Sequence, residues 1–239
     1  MNPMMKSLRV TLSAVLLCST IGCRRAVAES RKGVDWSREV GKSVKTIRME
    51  IGSVATIRLV PAAGVVGVSE MVYQGLVADP VSVETADAVV TIRQVRGEKV
   101  QASYTLQVPK GLDVEINGGM VNLTGELAAG TLDIQVGMLN SEAGMTAKSV
   151  VIRSSMLNLS GRIEATTVSI RSGMIGNKAR LEIAADESVS IESKMGRMDV
   201  SVTRGRRIDI AGGMVSGRVE VPGNAVVNSA GDVKITRKL

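Results

Sequence analysis

Methionine returns on a fixed beat through the second half of this chain. Met120, Met138, Met156 and Met174 are each 18 residues apart, Met195 follows after 21 and Met214 after 19. A further 18 residues lead to Asp232, so the spacing runs on while the residue type changes. Four residues before these positions stand Ile116, Ile134, Ile152, Ile170, Ile191 and Ile210, then Asn228. Six before stand Val114, Leu132, Val150, Val168, Val189, Ile208 and Val226. Seven after stand Leu127, Met145, Ile163, Leu181, Val202, Val221 and Leu239. Gly119, Gly137, Gly173, Gly213 and Gly231 directly precede the column, with Ser155 and Lys194 as exceptions. Columns that hold through seven units make a true internal repeat.

A period near 18, rich in β-branched residues and punctuated by Gly, predicts an all-β, single-stranded β-solenoid of the parallel β-helix kind. Each Val-x-Ile pair forms a short strand with two inward side chains, while Glu115, Asp133, Ser169, Ser190 and Asp209 between them face out. Rungs stacked about 4.8 Å apart lay like on like, so the core becomes ladders of Val, Ile and Leu. Such ladders leave little room for rings, and the chain has no Phe, one Trp and two Tyr although 44% of it is hydrophobic. One rung cannot bury its own inner face, so the rungs must fold as a stack.

The rest of the chain divides around this repeat. Residues 1–28 read as an export signal, with Lys6 and Arg9 ahead of a mostly apolar run from Val10 to Gly22. That run falls short of the roughly 20 apolar residues a membrane span needs. Thr20-Ile21-Gly22-Cys23 has the layout of a lipoprotein site, in which Cys23 would take the lipid, and Ala26-Val27-Ala28 offers an ordinary cleavage site instead. Residues 29–43 form a polar tether or first docking segment around Trp36. Residues 44–108 alternate β-branched and polar residues, with turns at Gly52, Pro61 to Gly64 and Gly67, and predict an N-terminal β region or cap. Pro109-Lys110-Gly111 then opens the seven-rung solenoid of 109–239. Cys18 and Cys23 are the only cysteines, so the fold stands on packing without a disulfide.

Composition narrows the function. The chain has no His, which removes the usual general base near neutral pH and the commonest zinc ligand. Glu115 and Asp133 face out from adjacent rungs as glycan-cleaving carboxylates do, yet Val151 and Ser169 follow them and break the cluster. No phosphate-binding Gly loop, zinc spacing or Ser/His/Asp set is present. No enzyme activity, catalytic residue, cofactor or metal site is expected. The net charge is +7, from 30 basic and 23 acidic side chains; the first 22 residues carry Lys6 and Arg9, and without them it is 28 − 23 = +5. That mild excess, with only Trp36, Tyr73 and Tyr104 as rings, gives no reason to expect nucleic acid.

Two features could meet a partner. If the residues one, three, five and seven after each methionine face inward, alternation puts the methionine outside. Met120, Met138, Met156, Met174, Met195 and Met214 would then form an apolar ribbon roughly 24 Å long, a candidate interaction stripe. The competing placement tucks each methionine into a corner as gap filler. Thioethers also suit Cu(I), but neither His nor Cys stands by to support a metal. Beside the stripe, Asn122, Asn140 and Asn158 predict a ladder of stacked amides. Arg204, Arg206 and Arg207 crowd one turn that is either simply solvated or touches anionic envelope polymers.

The run Tyr104-Thr105-Leu106-Gln107-Val108-Pro109-Lys110-Gly111-Leu112-Asp113-Val114, a strand, Val-Pro-x-Gly and a second strand, resembles a bacterial family. This is the toast-rack or putative-adhesin β-solenoid domain, also called the putative auto-transporter adhesin head. Gly231-Asp232-Val233 is similar to its later units, and the resemblance covers Val44 to Leu239. It implies a non-catalytic, exported cell-envelope β-solenoid of adhesive role, and it brings no catalytic residues. The methionine column departs from the Asp, Ser or Asn that many relatives show there. The expectation is an adhesion or interaction module in the cell envelope, either membrane-anchored through Cys23 or secreted or periplasmic, that meets an envelope or extracellular partner. The alternative is a structural envelope protein that self-associates through solenoid ends or through the methionine stripe.

Overall fold

The computed structural model describes residues 31–32, 36–39, 44–74, 81–94, 101–176 and 179–238; the export signal with Cys23 lies outside them. Its strands are β1 (Arg31–Lys32), β2 (Trp36–Glu39), β3 (Thr46–Ala62), β4 (Val65–Gln74), β5 (Val81–Ala86), β6 (Val89–Gln94) and β7 (Gln101–Pro109). They continue as β8 (Asp113–Ala128), β9 (Thr131–Ser141), β10 (Gly144–Leu159), β11 (Gly161–Gly176), β12 (Leu181–Arg204), β13 (Arg207–Pro222) and β14 (Val226–Lys238). Among the described residues there is no helix, so none is long and apolar enough to cross a membrane.

The expected β-solenoid is the architecture. β3 and then β8 to β14 stack in parallel, each pairing with the next, in about six turns of about 19 residues. Ile116, Ile134, Ile152, Ile170, Ile191 and Ile210 are Cα partners in succession, and none is more than 2% exposed. Val114, Leu132, Val150, Val168, Val189 and Ile208 form the companion ladder two residues earlier. Each rung bends sharply to close the coil. At Gly125 the backbone has φ +91°, and a Cβ there would lie 2.1 Å from the Leu59 carbonyl oxygen of the rung beneath, so only Gly fits.

The stack begins earlier than the repeat. Thr46–Ile51 pair with Asp113–Gly118 and Val54–Leu59 with Met120–Gly125, so β3 is itself a rung, with Val54 beneath Met120. Its other edge is covered by β6 and β7, and from there the pairing turns antiparallel. β5 folds back on β6 through Asp87 and Ala88, both at positive φ as in the mirror-image hairpin turns. β4 lies against β7, and β1 and β2, both within 29–43, lie against β4. This antiparallel layer closes the edge of the first rung.

Two repeat columns need correction. Ile183, not Leu181, stands opposite Ile163, and Leu181 stands opposite Gly161. The longer rung places extra residues in the 177–180 segment and at the Asp186-Glu187 irregularity. In the last rung, Asp209 faces Asn228 and Ile210 faces Ser229, while Ser216 faces Asp232 and Val221 faces Arg237. Asp232 therefore does not continue the methionine column, because β14 turns its corner through Gly231 with three fewer residues than β13. Val226 consequently points outward, 63% exposed; Leu239 lies outside the described residues.

Candidate functional site

The six methionines stand in one register. Met120, Met138, Met156, Met174, Met195 and Met214 are Cα partners rung by rung, despite the longer steps before Met195 and Met214. Met156, Met174 and Met195 are 40%, 45% and 39% exposed, and Met120 and Met138 are half-buried. Met214 reaches 72% because the shortened corner of β14 places no residue over it. The next residue along each strand points the other way: Val121, Leu139, Leu157 and Ile175 are at most 1% exposed.

The corner explains this orientation. Pairing runs from Gly118↔Val136 directly to Met120↔Met138, and the residue between is left out of the ladder in every rung through β13. That unpaired residue resets the in–out alternation, as a bulge does. The methionine then follows the frame of the strand after it. At Gly173, one such bulge, a Cβ would sit 2.8 Å from the Ser155 carbonyl oxygen, which accounts for the preference for Gly.

A column that the sequence analysis missed lies just beneath. Ser154, Ser172 and Ser193 are Cα partners two residues before the methionines, and Ser172 and Ser193 are buried. Ser172 Oγ donates to Ser193 Oγ at 3.1 Å, and Ser193 Oγ donates to the Met195 carbonyl at 3.1 Å. Ser154 Oγ donates to the Met156 carbonyl in the same way. These hydroxyls satisfy backbone carbonyls where strand pairing is interrupted, and so brace the stripe from below. Their only signal in the sequence is that they share the methionine spacing.

The far flank of the stripe is the amide ladder. Asn140 Nδ2 donates to Asn122 Oδ1, and Asn158 Nδ2 to Asn140 Oδ1, each at 2.8 Å. Asn122 Nδ2 reaches Thr56 Oγ1 at 3.5 Å, extending the chain to the first rung.

The other candidates are charge-matched. Glu115 and Asp133 are neighbours, but Arg48 holds Glu115 at 2.7 Å and Arg153 holds Asp133 at 3.2 Å. Hydrogen bonds from the Asn228 amide and then from Arg207 lower the Asp209 carboxyl below its usual range. In the basic turn, Arg204 lies 3.6 Å from Asp186 and Arg207 lies 2.7 Å from Asp209, while Arg206 is exposed. A shallow groove of about 430 Å³ runs beside that turn over a floor that includes Ala129, Ala147 and Ala165, with Lys110 and Lys148 also lining it. Near the last rung, Glu220 is only 7% exposed and meets Arg218 at 2.6 Å, Lys238 at 2.8 Å and the Arg180 guanidinium. Hydrogen bonds from Lys238 and then Arg180 push its pKa down to about 2. No group of His, Cys, Asp or Glu among the described residues is placed to hold a metal ion.

No family model and no curated protein matches the chain. Among solved structures it is similar to a putative adhesin from Bacteroides fragilis, at 16% identity over 86% of this chain and 96% of that one, with a TM-score of 0.44. A putative adhesin from Parabacteroides merdae is similar at 12% identity over 85% and 94%, with a TM-score of 0.35. A putative cell adhesion protein from Clostridium sporogenes is similar at 8% identity over 87% and 100%, with a TM-score of 0.30. These names agree with the resemblance carried by Tyr104 to Val114. At such identities and scores the fold rests on the strand pairing itself.

Proposed function

We propose that this chain is an exported, non-catalytic β-solenoid of the cell envelope that presents its methionine stripe to a partner surface. The supporting observation is the stripe: six apolar side chains in one outward register, over a core that holds their spacing. Contiguous exposed apolar surface favours contact with other molecules, and regular spacing lets many weak contacts add. Adhesion is the role such presentation serves. The test is retention of envelope fragments by the immobilised protein. Replacing Met138, Met156 and Met174 by Gln keeps length and removes apolarity, so retention should fall; unchanged retention overturns the stripe as the contact surface. Location is tested separately by placing a protease site within residues 29–43. Release from intact cells supports an outward-facing adhesin, and protection until lysis overturns adhesion to external surfaces.

Self-association is the second reading. Antiparallel strands close the β3 end, whereas among the described residues β14 pairs only with β13. An uncovered strand edge pairs readily with another chain. Sedimentation that stays monomeric as concentration rises rejects it.

A further inference from the structure

We propose that Met120, Met138, Met156 and Met174 bind a soft monovalent cation, Cu(I) or Ag(I), between thioether sulfurs on neighbouring rungs. The inference goes beyond the contact surface proposed above and does not require that surface to meet a partner. Its first support is the choice of residue. An outward strand position that needs only to be apolar is better filled by Val or Ile, whose branched side chains suit a pleated surface. The inward ladders of this chain use those residues, yet the outward column is methionine in six consecutive rungs. What methionine adds there is sulfur and a flexible stem.

The second support is spacing. A metal–sulfur bond is about 2.3 Å, as at zinc thiolates, so a sulfur–metal–sulfur bridge spans up to about 4.6 Å. In-register parallel strands repeat like side chains about 4.8 Å apart. Adjacent methionines are therefore offset by nearly the length of one bridge, and the flexible stems can close the remainder.

The third support is charge. From Met120 to Met174 the preceding residues are Gly119, Gly137, Ser155 and Gly173, and the residues two after are Asn122, Asn140, Asn158 and Gly176. This strip offers no carboxylate to recruit Ca²⁺ or Mg²⁺ and no ammonium to repel a cation. The strip changes at Met195, which has Lys194 before it and Arg197 two after. Those cations place the site on the lower four rungs. Thioethers are soft donors suited to Cu(I). They also carry no proton to lose, so affinity should hold between pH 7 and pH 5, where a His or Cys site would weaken.

Silver nitrate in chloride-free, thiol-free buffer is the probe, with methyl-¹³C-methionine NMR as the readout. The methyl signals of Met120, Met138, Met156 and Met174 should move, while those of the buried Met49, Met145 and Met198 stay. The Met156→Leu/Met174→Leu variant keeps the stripe apolar and removes two donors. Its silver affinity should fall by more than the roughly tenfold that loss of an outer-shell partner alone costs, with the circular dichroism unchanged. Shifts confined to other methionines, no shift at millimolar silver, or equal binding by the Leu variant would overturn the proposal. The Leu variant should still retain envelope fragments, so loss of metal binding and loss of the contact surface are separable.

Discussion

The central isoleucine ladder sets the expected cost of opening the core. Ile134 is 0% exposed and sits between Ile116 and Ile152 in register. Ile134→Ala removes three carbons, about 2.4 kcal/mol at ~0.8 kcal/mol each. A cavity term is added, because backbone ladders on both sides hold the adjoining rungs at fixed separation and prevent collapse. The sum is about 3–4 kcal/mol, within the usual range for such truncations. Ile134→Val should cost about 1 kcal/mol. Ile235→Ala, at a half-buried position in β14 with a rung on one side only, should also cost about 1 kcal/mol. Urea unfolding of the three variants, compared at unchanged slope, measures the differences. If Ile134→Ala cost no more than Ile235→Ala, the reasoning that rigid stacking blocks collapse would be refuted.

Three further perturbations test separate parts of the coil. Gly196 has φ +126°, and an added Cβ would lie 1.9 Å from the Ile175 carbonyl oxygen, so Gly196→Ala should cost more than about 2 kcal/mol in urea unfolding; a neutral result would show that the rung can shift. Asn140→Ala removes the middle of the amide ladder and strips partners from Asn122 Oδ1 and Asn158 Nδ2, for an expected loss of about 2 kcal/mol; thermal unfolding unchanged from the parent would make the ladder energetically idle. Glu220 has a folded pKa of about 2 against an ordinary 4.5, so its stabilisation is complete above the unfolded value and drains away as pH falls towards 2. Glu220→Gln should flatten that acid limb of stability against pH, and parallel curves for the two proteins would reject the assignment.

How much of this was legible depends on parity. Inward and outward faces alternate with period two, so the spacing of Val114, Ile116 and their repeats was enough to place the core ladders. A slip of two residues preserves parity, which is why Leu181 could be set opposite Ile163: it is buried either way, and the apolar pattern cannot register the error. The last rung was hidden by compensation. Its first strand runs 19 residues beyond β13 and its second only 16, as Ala211↔Ala230 and Ser216↔Asp232 show. A single step of 18 from Met214 falls between these offsets and looks regular. The cap was illegible for another reason, since the antiparallel pairing of β4 with β7 links distant segments and leaves no period.

The methionine stripe sits where these two limits meet. Counted forward from Ile116, alternation turns Gly118 inward and Met120 inward as well. Counted back from Val121, it turns Met120 outward. The sequence contains both answers, and the choice rests on one unpaired residue per rung. That residue is Gly in four of the six rungs because carbonyl oxygens of the rung beneath crowd the place of its Cβ. The same Gly leaves the methionine without a bulky neighbour on that side. Backbone crowding inside the coil and openness of the stripe outside it thus have one cause, and a bulkier residue at Gly137 or Gly173 would strain the corner and cover the sulfurs together.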